Sequence, residues 1–391
     1  NGSRIIEVPR EALATDGRFG LRAGNGMNLH VSSLNVTRRL APVPARKPAP
    51  EAGRIDALVR EQMERQKLPG AAVAVVSKGS VLLAKGYGDA NVEHRAPVTP
   101  DTIFQSGSVG KQFTAAAVML MVEQGKLALD DPLTKFFPDA PPHWRGIKVR
   151  HLLTHTSGIP DYTGGSSIDY RKDYSEDDLV RMAYALTPEF APGARWNYSN
   201  TAYVLLGILV RKASGKFYGD VLREQVFEPL GMRTARVISE ADIVPNRAAG
   251  YRLVNGEVKN QEWVSPSMNS GPDGSFYFTI RDMVQWDAGL SGGKLLKRSS
   301  FDAMWTPVRL NDGTTHPYGF GWNVRELAGH RVIEHDGGYQ GFASQISRYP
   351  DDNISVILFA NLSGAPLGAM AHQVAELVNP NLKAQDREPA T

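Results

Sequence analysis

Apolar residues first recur at helical spacing at Ile55, Leu58, Val59 and Met63, a run closed by Gly70. Next, AAVAVV (residues 71–76), a short SKGS connection and VLLAKGYG (81–88) read as an antiparallel hairpin. A strongly apolar helix follows Ser108 and stops at Gly125, a C-cap residue. Proline-punctuated loops lead to a helix over about 176–186, behind Ser175, which can cap it. Another runs over about 199–213 and is closed by Gly215. Beyond Gly250 the pattern turns β-rich at 331–335, 341–349 and 354–360, with Pro350-Asp351-Asp352-Asn353 joining the last two as a hairpin. A final helix covers roughly 367–378.

The order hairpin, helices, strands, helix predicts an α+β fold. One antiparallel sheet is built from both chain ends and flanked by helices, with a mainly helical subdomain inserted. The corresponding boundaries are 51–112 plus 250–380 for the sheet domain and 113–249 for the insertion. Residues 1–50 form an extension whose PVPARKPAP segment has the composition of an extended linker, and 381–391 form a tail. Such a sheet puts a cleft at its boundary with the helices, shaped by loops around 162–174 and 255–273.

Composition narrows the chemistry. With 44 basic and 41 acidic residues the net charge is +3, too balanced to point to nucleic acid. The absence of cysteine excludes disulfides, thiolate catalysis and zinc–cysteine sites. The longest apolar run, 115–122, is far shorter than the roughly 20 residues that cross a bilayer, so no transmembrane segment is expected. No secretory signal is visible. The chain opens on Asn1, which suggests processing or added residues, with Met27 as an alternative native start. A periplasmic or secreted bacterial location and a cytoplasmic one both stay open, as does the oligomeric state.

Some familiar motifs fail. Gly110-Lys111 resembles the end of a phosphate loop, but Gln105 stands where its first glycine belongs and Gln112 where magnesium needs Ser or Thr. Ser106 replaces the glycine that a nucleophile elbow needs two residues before Ser108. His151 and His155 are four apart, but Leu152 replaces the metalloprotease glutamate; capping or packing of the HTSG turn is the expected job. No metal site is predicted.

Three features survive, each with an ordinary alternative. Ser108 and Lys111 share a helix face one turn apart; they are a capping serine with a surface lysine, or a nucleophile beside its base. A lysine can serve as base only if burial or a second cation lowers its pKa. Tyr198-Ser199-Asn200 precedes an apolar helix, so Ser199 or Asn200 caps it, or Tyr198 and Asn200 point into a cleft. His335-Asp336-Gly337 ends a β segment as a plain glycine turn, or as backbone N–H groups open to a ligand.

Taken in order, Ser-x-x-Lys, Tyr-x-Asn and His-x-Gly make the chain resemble the serine β-lactamase and penicillin-binding D-peptidase superfamily. The likeness is to its class C-like branch, which includes D-aminopeptidases and family VIII carboxylesterases. It runs from about Arg54 to Val378 and takes in HLLTHTSGIPDY (151–162), GKLALDDPLTKFFP (125–138) and YGFGW (318–322). The resemblance implies a serine hydrolase without a cofactor. Ser108 would be acylated, Lys111 would help deprotonate it, and Tyr198 would be general base or acid. Asn200, His335 and Gly337 would contact substrate, and the backbone N–H groups of Ser108 and Gly338 would form the oxyanion hole. His335 departs from class C β-lactamases, which carry lysine there, and this weakens the expectation of efficient β-lactam hydrolysis. The expected substrate is a small ester, with D-amino-acid amides or peptides (as in a DD-carboxypeptidase or D-aminopeptidase) and weak β-lactamase activity as alternatives. An inactive relative serving as a binding or scaffold module is the non-enzymatic alternative.

Overall fold

The computed structural model describes residues 50–164, 168–237 and 241–383. The extension up to residue 49 and the tail from 384, with the linker and tail readings that fall there, lie outside the described residues.

Seven antiparallel strands form the main sheet: β1 (Gly70–Ser77), β2 (Ser80–Asn91), β3 (Ala96–Pro97), β4 (Asn323–Leu327), β5 (His330–Tyr339), β6 (Phe342–Tyr349) and β7 (Ile354–Ala360). Their spatial order is β4-β5-β6-β7-β1-β2-β3. The junction of the two chain ends is the β1–β7 ladder, in register from Ala71 opposite Ala360 to Ser77 opposite Ile354. The expected sheet built from both ends is therefore present. Its C-terminal part begins only at Asn323. Residues 250–322 instead supply a small hairpin, a strand at Phe276–Phe278 that pairs with Phe104–Gln105, and helices.

Three helices pack on the sheet, α1 (Pro50–Gln66), α4 (Ile280–Gly292) and α5 (Leu367–Val378), while α2 (Lys111–Glu123) and α3 (Asn200–Ser214) pack on each other in the helical part. Strand β1 reads as an unbroken apolar run because both its faces are covered. Val73 and Val75 pack with Ile55 and Val59 of α1 and with Met370 and Val374 of α5. Ala72 and Ala74 face the other way, into a larger core with Phe113 of α2 and Trp286 of α4. Helix α2 is mostly apolar and buried from Lys111 to Met121, the mark of a core helix. Helix ends follow ordinary capping chemistry. The Ser175 hydroxyl accepts from the Asp178 N–H, that of Ser199 accepts from the Ala202 N–H, and Gly215 closes α3 in the left-handed region at φ 74°.

Ser108 does not cap its helix. The chain passes through a 3-10 turn, Gly107–Gly110, before α2 begins at Lys111. Ser106, ahead of that turn, has helical rather than extended backbone angles and makes no side-chain cap. The Ser108 side chain is thus left free for other partners, while its carbonyl accepts the Lys111 N–H.

Candidate active site

Lys111 opens a buried, mostly apolar helix, so its ammonium is held inside the core; the residue is fully buried. Three acceptors surround Nζ: the Asp273 carbonyl at 2.5 Å, Asn200 Oδ1 at 2.7 Å and Ser108 Oγ at 3.1 Å. The rings of Tyr198 and Tyr203 lie 4.9 and 5.4 Å from it. Burial lowers the lysine pKa to about 8, against the opposing pull of Asp273, Asp161 and Asp336.

Asn200 stands at the first turn of α3, and its amide is oriented by partners on both sides. Oδ1 accepts a hydrogen bond from Lys111 Nζ, while Nδ2 donates to Asp161 Oδ2 at 3.0 Å and to Thr163 Oγ1 at 3.2 Å. Tyr198, just before the capping Ser199, is half-buried, with its hydroxyl shielded from solvent. Its hydroxyl makes no hydrogen bond of good geometry, although the Ser108 hydroxyl is near enough to favour the phenolate. Burial outweighs that, and the phenol is held well above its ordinary pKa.

Strand β5 passes directly behind Ser108. A Cβ on Gly107, which sits at φ +52°, would lie 2.7 Å from Gly338 N; one on Gly337 would lie 2.3 Å from the Ser106 carbonyl. Glycine at both positions is what lets the two backbones meet beside the Ser108 and Gly338 N–H groups. His335 is on the same strand, but its ring is buried with both nitrogens engaged, Nδ1 by the Asp336 carbonyl and Nε2 by Tyr318 Oη. Of the predicted residues, Ser108, Lys111, Tyr198, Asn200, Gly337 and Gly338 converge on one point, and His335 lies behind it.

A cavity of about 520 Å³ opens over this point, lined by Ser108, Asn200, Tyr162, Tyr170, Asp273 and Tyr339 among others. Asp273, whose side chain accepts from the Tyr162 hydroxyl at 3.0 Å, is the residue that motif reading missed. It belongs to the 255–273 loop, and only its place in the expected cleft-shaping segment hinted at it. Asp161 was part of HTSGIPDY but had no role assigned there. No group of three or more metal-ligating side chains occurs among the described residues, and no described helix is long and apolar enough to cross a membrane.

A serine and a buried lysine one turn apart, under a sheet assembled from both chain ends, define a β-lactamase-like serine hydrolase. The chain belongs to the Beta-lactamase family, whose model matches residues 55–379. It is 31% identical over 314 residues to a penicillin-binding protein of Bacillus subtilis (strain 168), covering 76% of this chain and 69% of that one. It is 30% identical over 323 residues to a D-aminopeptidase of Brucella anthropi, covering 79% of this chain and 59% of the relative. Among solved structures, a D-amino acid amidase from Ochrobactrum anthropi SV3 superposes with a TM-score of 0.72 at 26% identity, covering 86% of this chain and 98% of that one. An octameric penicillin-binding protein homologue from Pyrococcus abyssi superposes with a TM-score of 0.74 at 29% identity, covering 84% and 77%.

Proposed function

We propose that this chain is an amidohydrolase that forms an acyl-enzyme at Ser108 and acts on amides or short peptides bearing a free D-amino-acid N-terminus. Asp273 carries the proposal: its carboxylate stands in the same cavity as Ser108, where an α-ammonium group would meet it. Arg252, also on the cavity wall, has its charge matched by Glu262 at 2.8 Å, which leaves it less suited to a C-terminal carboxylate. The D configuration is suggested by the relatives' names, those of a D-aminopeptidase and a D-amino acid amidase.

The chemistry follows from proton geometry. When Lys111 is neutral, its two remaining N–H bonds point to Asn200 Oδ1 and the Asp273 carbonyl, the shorter contacts, and the lone pair faces Ser108 Oγ. Lys111 takes the hydroxyl proton as Ser108 Oγ bonds to the carbonyl carbon. Tyr198, kept as a neutral phenol, gives its proton to the leaving nitrogen as the C–N bond breaks and is reprotonated from Lys111. Water then repeats the sequence in reverse and frees the acid. The Ser108 and Gly338 N–H groups receive the negative oxygen in both steps, each donor contributing roughly 3–4 kcal/mol in comparable enzymes.

The test is a panel of D- and L-amino-acid amides, their N-acetylated forms, p-nitrophenyl esters and a penicillin, with intact-mass detection of the adduct. D-Amino-acid amides should be hydrolysed, and acetylating the amine should lower kcat/KM about tenfold or more, the scale of one lost charge-assisted contact. Asp273→Asn should penalise the free-amine substrates more than the acetylated ones. Equal rates for both forms would overturn the amine site, and turnover confined to esters would establish the small-ester reading in its place. An absence of any covalent adduct would mark a non-catalytic relative.

A further inference from the structure

Behind the reacting groups runs a row of buried polar side chains that the proposed chemistry does not use. The Ser199 N–H donates to His155 Nδ1 at 3.1 Å; His155 Nε2 and Tyr318 Oη are 3.1 Å apart; Tyr318 Oη and His335 Nε2 are 2.9 Å apart; His335 Nδ1 and the Asp336 carbonyl are 2.5 Å apart. Both ends are fixed by groups with only one possible role. A backbone N–H can only donate, so His155 Nδ1 must carry a lone pair and its proton is on Nε2. A carbonyl can only accept, so His335 Nδ1 must carry a proton and its Nε2, when neutral, a lone pair. Tyr318 then accepts from His155 and donates to His335. The assignments from the two ends meet without conflict in one direction and with no net charge.

We propose that His155 and Tyr318 are positioning residues of the reaction. Their one-way hydrogen-bond relay ties the α3 entrance, which presents Tyr198 and Asn200, to strand β5, which presents the Gly338 N–H. The two halves of the site belong to segments more than a hundred residues apart in sequence, and among the described residues no backbone ladder joins them. A misplacement on the order of 1 Å between such groups can cost about a hundredfold in rate. The relay lies against the acid it positions: the His155 and Tyr198 rings are 4.3 Å apart, and His155 holds a left-handed backbone at φ 56° while its carbonyl accepts the Asn197 N–H. Desolvation holds both histidines below their ordinary pKa, consistent with neutral rings. The titratable groups that act on His335 are Asp336 and Glu334, its strand neighbours on the opposite face, Lys111 on α2, His155 across the relay, the Tyr318 hydroxyl and the Tyr198 ring at 6.3 Å. Tyr203 stands beside Tyr318; its hydroxyl donates to the Leu153 carbonyl, and its oxygen is a second acceptor for the Tyr318 hydroxyl, shared with His335 Nε2.

The inference rests on Ser108 being the nucleophile, but its first test does not need turnover. Nitrogen-15 NMR of the wild-type imidazoles should find His155 protonated on Nε2 and His335 on Nδ1, both neutral at pH 7 and each charging only below the ordinary histidine pKa of about 6.5. A cationic His335 at pH 7, or its Nε2–H tautomer, would overturn the relay. The second test is Tyr318→Phe, which keeps the ring and removes one hydroxyl. It should lower kcat about tenfold to a hundredfold with KM within twofold, and let His335 titrate in the range where it was silent. Unchanged kcat in a folded variant would refute the positioning role; if the variant does not fold, the wild-type tautomers decide. Failure of the hydrolase reading would look different, namely no adduct at Ser108 with the tautomers as assigned.

Discussion

Two buried polar clusters occupy opposite faces of strand β5, and their difference shows how burial is turned to chemistry or to structure. Glu334 faces away from the cavity, as alternation along a strand requires of the neighbour of His335. Its carboxylate receives Arg325, His372 at 2.8 Å, Ser347 at 2.7 Å and Gln345 at 3.1 Å. These donors outweigh desolvation and keep its pKa below the ordinary value. Lys111 is buried just as deeply, but its acceptors are a carbonyl, an amide and a hydroxyl, with no carboxylate in contact. Desolvation wins there and the pKa falls to about 8. A saturated buried charge is inert; an under-compensated one is ready to give up its proton.

That contrast can be broken at several points. Ser108→Ala should have the largest effect, eliminating the adduct and lowering turnover by roughly a thousandfold or more, as loss of a covalent nucleophile does elsewhere. Lys111→Met should follow, at about a thousandfold in acylation rate, with the fold retained because an apolar residue suits the site; an acylation rate near wild type would remove Lys111 from the mechanism. The pH profile sharpens the same point. Lys111 must be neutral to act, so kcat/KM should climb with pH and level off above about 8. A flat profile between pH 6 and 9 would mean that another group is the base. Smallest in activity should be Glu334→Gln: a melting temperature lowered by several degrees, about 1–3 kcal/mol, with kcat within about threefold. A catalytic loss larger than the stability loss would show that the two clusters are coupled through β5.

How legible the site was depended on how local each contribution is. Ser-x-x-Lys could be read because one helical turn brings the two residues together, and Tyr198-Ser199-Asn200 because a capping serine announces a helix entrance. The final helix, expected over roughly 367–378, spans Leu367–Val378. Asp273 was not legible as a neighbour of Lys111, since 162 residues separate them and the contact uses its backbone carbonyl. His335 was expected to face substrate, but strand geometry alone does not reveal that Tyr318 and a carbonyl occupy its two nitrogens.

By itself, then, the sequence determined the element types, the two-ended sheet, the nucleophile candidate and the family, because periodicity, capping and short motifs are encoded within a few turns of chain. Only the tertiary structure decided the proton inventory: the burial that lowers Lys111, the Asp161 and Thr163 contacts that orient Asn200, the sharing of one cavity by Asp273 and the serine, and the direction of the His155–Tyr318–His335 relay. Desolvation and hydrogen-bond direction depend on what surrounds a group in space, and those surroundings come from segments as far apart as residues 111, 161, 200, 273 and 335.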